Sequence, residues 1–329
     1  MAPAPPSAGG GAPAWLVALA CSLASFGAGS WYGSAAAPPV PAAPAAAAAL
    51  RVATPPAPPG RGRTAPARAV VLASVEDEVA WALQQVADLC IIPYAHLDNS
   101  TRSRAFEAVP NRGREASVYL RFIIDHYDNL PDATLFLHGH YSPGWHSTNI
   151  AEIVRHLRWE LPYANVNYNP DGGTWVTLED QEGTGLRKLY NDVRDVWPEL
   201  FAAVSGVPSL PAGGVLSQHC CAQFLLSRDN IRRHPVAWYE QALRYLHGGE
   251  ERYDGDTANA AIVMEMAWEW VFRADMRSYA HCGTWDCDIC AVVTCCVDGS
   301  FARGCANNYA FEPAYHAALQ HSYPCGPWD

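Results

Sequence analysis

The amino-terminal part of the sequence lacks charge. No charged side chain occurs in the first 50 residues, and the first 68 contain four arginines but no acidic residue. The rest of the chain is short of basic residues instead: it holds all 33 acidic residues but only 18 of the 22 basic ones, and Lys188 is the single lysine. Non-specific binding to nucleic acid depends on Lys and Arg that neutralise phosphates. The composition therefore argues against a nucleic-acid-binding protein.

Apolar residues are plentiful. They make up half of the 329 residues, and 11% are aromatic, which is enough for a sizeable core and excludes wholesale disorder. A chain of this length can hold one large α/β domain or two small domains.

The uncharged start predicts entry into the secretory pathway. Trp15–Phe26 is an apolar run, so we interpret residues 1–34 as a signal peptide or an uncleaved signal anchor, with a disordered leader as the alternative. Residues 35–68 are rich in Ala and Pro and predict a disordered stem. We expect a globular domain at 69–272 and a Cys-rich tail at 273–329. This order predicts an ER or Golgi single-pass membrane protein, or a secreted one.

Short apolar runs alternate with helical patterns along the expected domain. The runs predict strands at Ala69–Val75, Leu89–Pro93, Thr134–Leu137 and Gln223–Leu226. Apolar spacing and capping residues predict helices at Glu76–Asp88, Glu115–Tyr127, Ile150–Leu161, Pro235–Leu246 and Thr257–Phe272. This alternation predicts an α/β fold with a mostly parallel sheet flanked by helices.

The cysteines point to an oxidising compartment. Seven of the eleven lie in Cys282–Cys325, a density that favours disulfides in a secreted chain. The alternative is a zinc site, because Cys287-x2-Cys290 has the spacing of a ligand pair. Asn99-Ser100-Thr101 is an acceptor sequence for N-glycosylation, so we also expect a glycoprotein.

One candidate anion site stands just before a predicted helix, at Asn111, Gly113, Arg114 and Glu115. Glycine permits a tight turn, and the free N–H groups of a helix start beside arginine suit a phosphate or diphosphate. The alternative is an Arg–Glu pair on a solvated surface.

A candidate metal site follows the strand Thr134–Leu137. His138 and His140 occupy alternate positions, with His146 six residues later. Alternate residues of an extended chain point to one side, and two imidazoles at the carboxyl end of a buried strand can chelate a divalent metal. A hydrogen-bonded structural pair is the alternative.

Two further places carry polar residues that chemistry can use. The predicted strand at Gln223–Leu226 runs into Ser227 and Arg228, which close a binding pocket or simply cap a helix. Glu265 lies on the helix Thr257–Phe272 and is a candidate general base if partly buried.

These residues fall in six ordered blocks, over roughly Val70–Phe272, that resemble the eukaryotic family named domain of unknown function 3431. The blocks are Glu76-Asp77-Glu78 with Trp81, Pro110–Leu120, Tyr127–Asp132, Leu135–His140, Cys221–Arg228 and Glu265-x-x-Trp268. His138 stands where the family usually has Gln, and the Cys-rich tail lies outside this resemblance.

The same blocks resemble those of GT-A-type glycosyltransferases. Asn111-x-Gly113-Arg114-Glu115 is similar to the Asn-x-Gly-x-Asp motif of rhamnan-synthesis-type transferases. The segment Leu135–His140 falls where such enzymes carry a metal-binding Asp-x-Asp or Asp-x-His. Phe224-x-x-Ser227-Arg228 resembles a segment of fringe-like enzymes, and Glu265 falls where a catalytic acid is common.

This second resemblance implies a secretory-pathway glycosyltransferase with a GT-A-like fold. Its substrates would be a nucleotide-sugar donor and a glycan or protein acceptor. Arg114 with its neighbours, Ser227 and Arg228 would bind the diphosphate, His138 and His140 a divalent metal (Mn or Mg), and Glu265 would be the base. Two alternatives stay open: a metal-dependent hydrolase or oxygenase using His138, His140 and His146, and a non-catalytic secreted binding protein whose Cys-rich tail is functional.

Overall fold

The structure, a computed structural model, describes thirteen stretches of the chain: residues 65–74, 81–82, 86, 88–97, 107–110, 112–139, 150–167, 175–178, 185–200, 216–219, 221–248, 257–273 and 285–298. The expected leader, most of the stem, the glycosylation sequence at 99–101 and most of the predicted helix Glu76–Asp88 lie outside these residues. No helix in the described ranges is long and apolar enough to cross a membrane.

The strands and helices follow one another in an α/β order. The strands are β1 (Arg68–Ser74), β2 (Cys90–Leu97), β3 (Glu107–Pro110), β4 (Ala133–His138), β5 (Tyr163–Asn165), β6 (Trp175–Leu178), β7 (Leu216–His219) and β8 (Phe224–Ser227). The helices are α1 (Arg114–His126), α2 (Ile150–His156), α3 (Gly185–Leu200), α4 (Arg228–Arg232), α5 (Val236–His247), α6 (Thr257–Phe272) and α7 (Trp285–Val292), with a 3₁₀ turn at Tyr127–Asn129.

Six of the strands form one mixed sheet. Their order is β3-β2-β1-β4-β8-β5, and β6 pairs with β7 separately. Strands β3, β2, β1 and β4 are parallel, whereas β8 is antiparallel to both β4 and β5. The α/β class is confirmed, and the sheet is mixed, because β8 runs opposite to its two neighbours. The antiparallel direction of β8 could not be predicted from its apolar run, because a strand buried on both faces has the same composition in either direction.

The two faces of the sheet are covered differently. Leu135 and Leu137 of β4 face a core that also contains Ile150, Ile153 and Val154 of α2. Phe136 points to the other face, as alternation along a strand requires. There the aromatic core contains Tyr119, Phe122, Phe136, Phe224, Trp268 and Phe272, whose rings contact one another beneath α1 and α6.

Part of the expected tail packs into this core. Ile289 and Val293 are buried in the cluster that includes Leu157. Leu157 pairs with Val293 as a β-bridge, and the Arg158 N–H donates to Val292 O at 2.9 Å. These contacts also explain why α2 ends at His156 and not at Leu161 as predicted. The residues after His156 form backbone hydrogen bonds with Val292 and Val293 instead of continuing the helix.

Five cysteines in the described stretches form disulfides. Cys290 is bonded to Cys296, and Cys90, Cys221 and Cys295 are disulfide-bonded as well. The zinc interpretation of Cys287-x2-Cys290 is therefore wrong, because a sulfur in a disulfide is not the thiolate that zinc requires.

Candidate active site

The strand order reverses between β1 and β4, and the chain is tightly packed there. The Gly139 N–H donates to Ala73 O at 2.6 Å, and the Trp81 indole N–H donates to Gly139 O at 2.7 Å. A Cβ on Gly139 would lie 2.9 Å from Ser74 Cβ, so only glycine fits. Open α/β sheets bind ligands in the crevice outside the carboxyl ends of their strands at such a reversal.

A buried amide pair supports His138 at this edge. The His138 backbone N–H donates to Gln223 Oε1 at 3.2 Å, and Gln223 Nε2 donates to Asn167 Oδ1 at 3.2 Å. Asn167 Nδ2 also donates to Asn165 Oδ1 at 3.0 Å and to Gln223 O at 3.2 Å. Sequence reasoning missed Asn165 and Asn167, because the three-residue strand β5 that positions them was not predicted.

The start of α1 lies at the same edge, since it follows the carboxyl end of β3. Gly113 and Arg114 have left-handed backbone conformations, with φ of 77° and 50°. Gly113 packs so close to α5 that a Cβ there would lie 2.8 Å from Leu246 Cβ. A left-handed residue followed by helical ones aims successive N–H groups into a concavity that suits an anion. For arginine this conformation is uncommon, and such outliers cluster at functional sites.

Glu265 reaches this helix start from α6. Its carboxyl lies near Glu115 and Arg114, close enough for both charges to act on it. Burial, and to a smaller extent the Glu115 charge, raise the pKa of Glu265 to about 8, although Arg114 and the Cys221 backbone act in the opposite direction. The arrangement is a carboxyl that gains and loses a proton near neutral pH, next to a cation.

Tyr119 lies beneath the two carboxyls. It is fully buried, its ring is 5.0 Å from that of Phe136, and its hydroxyl makes no hydrogen bond within the part of the chain that the structure describes. Burial raises the pKa of the phenol well above its usual value, and the charges of Glu115 and Glu265 raise it further. Tyr119 therefore stays neutral, and the charges of both carboxylates act on its hydroxyl.

Comparison with protein families gives one match. A family model described as "Protein of unknown function (DUF3431)" matches residues 70–291. The chain belongs to this family. The family region extends from β1 into α7, past the end expected at Phe272, and agrees with the packing of α7 into the core. No curated protein and no solved structure matches the chain.

Within the family region, four of the predicted site residues meet. Gly113, Arg114 and Glu115 lie at the start of α1 and Glu265 lies beside them, although 150 residues of sequence separate the two groups. His138 lies beside the short segment 221–223, because its backbone N–H donates to the Gln223 side chain. The Cys221 backbone in the same segment lies near Glu265.

Ser227 and Arg228 lie elsewhere. Ser227 pairs with Ala133, at the amino end of β4, about 17 Å from its carboxyl end at 3.3 Å per residue. The Ser227 hydroxyl accepts the Asn230 N–H at 3.2 Å as the cap of α4, and Arg228 pairs with Asp132 at 2.6 Å. The structure therefore does not bring Ser227 and Arg228 together with Arg114, and it shows Ser227 as the cap of α4.

Three predicted residues, Asn111, His140 and His146, lie outside the described residues. Within those that are described, no group of three or more His, Cys, Asp or Glu side chains is placed to hold a metal ion.

Proposed function

We propose that this protein is a glycosyltransferase of the secretory pathway that transfers a sugar from a nucleotide-sugar donor to a hydroxyl of a glycan or protein. The observation that carries the proposal is the meeting of Arg114 and Glu265, from α1 and α6, beside the carboxyl edge of the parallel strands. A cation for a departing diphosphate and a carboxylate for an acceptor proton are the two charges that this transfer needs.

The reaction is a displacement at the anomeric carbon. The acceptor oxygen gives its proton to the Glu265 carboxylate and forms the new bond to carbon. The bond from that carbon to the diphosphate oxygen breaks, and the diphosphate leaves with the electron pair. Arg114 and the N–H groups at the start of α1 stabilise the charge that grows on this leaving group.

The protonation of Glu265 supports its role as a base. A general base works best when its pKa lies near the working pH, and the pKa of Glu265 is raised to about 8. The acceptor hydroxyl would be deprotonated most readily at pH values approaching or exceeding this one.

The strand arrangement supports a nucleotide donor. The parallel order β3-β2-β1-β4 is that of half a doubly wound nucleotide-binding sheet, with the switch point between β1 and β4. Arg114 and His138 both lie at the carboxyl edge of this half. A GT-A-like fold is the form of this arrangement that we propose.

We assign no step to a metal ion. Mn and Mg prefer oxygen ligands, whereas His138 and His140 would supply imidazole nitrogens, so this pair does not fit the expected metal. The disulfides of the described cysteines support the proposed lumenal or secreted compartment.

Thermal unfolding of the full chain with nucleoside diphosphates, followed by turnover of nucleotide-sugars, tests the proposal. Nucleotide is expected to raise the melting temperature by mass action. Arg114→Ala should remove that rise and slow transfer roughly 30- to 1,000-fold, the effect of losing about 2–4 kcal/mol of transition-state stabilisation. Arg121→Ala is the matched control, because Arg121 is on the same helix and pairs with Asp125 at 2.7 Å.

Glu265→Gln separates binding from chemistry. It should keep the nucleotide response and lose transfer by a factor of about 100 or more, the usual contribution of a general base. Exposed Glu240→Gln should change neither. Stoichiometric metal binding without nucleotide binding would favour the hydrolase or oxygenase. If the chain binds neither metal nor nucleotide, the non-catalytic binding protein is favoured.

A further inference from the structure

His138 lies on the face of the sheet that α1 covers. Side chains alternate along a strand, so His138 points to the same side as Phe136, two residues before it on β4. The Phe136 ring lies 5.0 Å from the ring of Tyr119, which comes from α1. Phe136 is fully buried, whereas His138 is partly exposed at the end of the strand. The imidazole is therefore accessible on the same face as α1.

The start of α1 lies at the same level on this face. Helix α1 begins beside the carboxyl end of β3 and runs back toward the amino end of β4, antiparallel to both strands. From the contact of Tyr119 with Phe136, two residues along β4 advance about 6.6 Å to His138. From the same contact, α1 extends about 7.5 Å in the same direction to Arg114. The ring contact therefore brings His138 and Arg114 to one part of the carboxyl edge.

A buried amide holds the His138 backbone in place. The pairing of β8 with β4 ends at Phe224 and Phe136, and beyond it Gln223 Oε1 accepts the His138 N–H at 3.2 Å. This amide is itself held, because Gln223 Nε2 donates to Asn167 Oδ1 and Gln223 O accepts from Asn167 Nδ2, both at 3.2 Å. Gln223 and Asn167 are 2% and 1% exposed. Both are thus placed to hold His138 and not to contact a ligand.

We propose that His138 binds the diphosphate of the donor directly, through an imidazole N–H that donates to a phosphate oxygen, and that Gln223 is the positioning residue for His138. The inference rests on the proposed function for the identity of the ligand. Arg114 and the start of α1 bind the diphosphate from the helix side, and the imidazole binds it from the strand side. Donors from two elements then share the charge that grows on the leaving group.

The probe is inorganic pyrophosphate, which has the chemistry common to nucleoside diphosphates. It is added, with EDTA present, to the full chain labelled with ¹³C at histidine Cε1. The His138 resonance, which is the one absent from His138→Gln, should shift as pyrophosphate binds. His138→Ala should weaken binding roughly 10- to 100-fold, the effect of losing one hydrogen bond to a charged group. His156→Ala is the control, because His156 ends α2, which covers the opposite face, and it should leave the affinity unchanged.

A double-mutant cycle tests the role of Gln223. Gln223→Met removes the acceptor of the His138 N–H with little change in volume, and it should weaken pyrophosphate binding about tenfold. Combined with His138→Ala it should weaken binding no further, because Gln223 acts through the imidazole. Asn230→Leu is the matched control, since it removes a buried amide with two hydrogen bonds at the amino edge and should not change the affinity. If Gln223→Met does not fold, Asn167→Ala, which releases the Gln223 amide, replaces it in the cycle.

The two proposals can fail separately. If pyrophosphate binds but neither shifts the His138 resonance nor loses affinity in His138→Ala, the role of His138 is overturned and the transferase is not. Additive effects of Gln223→Met and His138→Ala overturn the positioning role. Binding that depends on His138, in a chain that transfers no sugar, would support the diphosphate site and reject the transferase. A chain that binds neither pyrophosphate nor nucleoside diphosphates overturns both proposals.

Discussion

Glu265 is expected to change the stability of the folded chain with pH. A carboxyl whose folded pKa of about 8 lies above its unfolded value, near 4.5, binds more protons when folded. The stability it contributes is fully present below the unfolded pKa and is lost as pH rises toward the folded pKa. Glu265 therefore makes the protein less stable at pH 7.5 than at pH 6.

Substituting Glu265→Gln should remove this loss. Each pH unit between the two pKa values corresponds to about 1.4 kcal/mol, so from pH 6 to pH 7.5 the unaltered chain should lose about 2 kcal/mol relative to the variant. Chemical unfolding at both pH values measures the difference, with exposed Glu240→Gln as the control. Stability curves that run parallel for Glu265→Gln and the unaltered chain would contradict the raised pKa.

A second prediction for a single residue concerns the stability effect of replacing Gly113. Its φ of 77° is unfavourable for any other residue, and an added Cβ would lie 2.8 Å from Leu246 Cβ. Gly113→Ala should destabilise the chain by about 1–3 kcal/mol in chemical unfolding. Gly248→Ala should cost less, because Gly248 has φ of −83° and its nearest contact is 3.3 Å away. Equal costs would show that the turn tolerates a side chain.

Individual residues also show what the sequence could predict. Arg114, Glu115 and Glu265 were predicted as site residues because a charged side chain at a helix start or on an apolar helix can be recognised from the sequence. The left-handed backbone of Cys221 and the pairing of Gln223 with Asn167 were not predicted, because both depend on contacts distant in sequence. Local sequence patterns indicate the chemistry of side chains, whereas backbone conformations and contacts between distant segments become visible only in the fold.

Among the elements, those with strong local signals were predicted best. The helix Thr257–Phe272 has the predicted bounds, and the strand expected at Thr134–Leu137 is one residue longer at each end. Strands β3, β5, β6 and β7, of three or four residues each, were not predicted, because such short runs show no clear period. The direction of β8 was missed because it depends on which neighbour the strand joins.

The start of β8 is also where sheet and helices meet. The Phe224 ring lies 5.5 Å from Trp268, 5.6 Å from Phe136 and 5.8 Å from Tyr119. Phe224→Ala should therefore cost about 3–5 kcal/mol, the usual range for a buried aromatic residue. Calorimetry or denaturant unfolding can measure this, against Val297→Ala, whose side chain is 49% exposed. A cost similar to that of the control would mean that the aromatic core rearranges around the cavity.

For the whole molecule, the carboxyl-terminal boundary matters most. Ile289 and Val293 are 2% and 1% exposed because they pack on the cluster around Leu157. A chain ending after Arg273 would uncover this apolar surface and should aggregate or unfold at lower temperature than a chain ending after Asp298. Size-exclusion chromatography and thermal unfolding of the two truncated chains compare them directly. Equal solubility and melting temperature would place the boundary at Phe272 after all.

The position of β8 in the sheet has a consequence for synthesis. Strand β4 ends at His138, yet β8, its neighbour in the sheet, does not begin until Phe224. At roughly 5–20 residues per second, translation takes about 4–17 s to cover that interval. During this time one apolar edge of β4 has no strand to pair with, and such edges recruit other chains. We expect the nascent chain to depend on a chaperone from the emergence of β4 until β8 has been made.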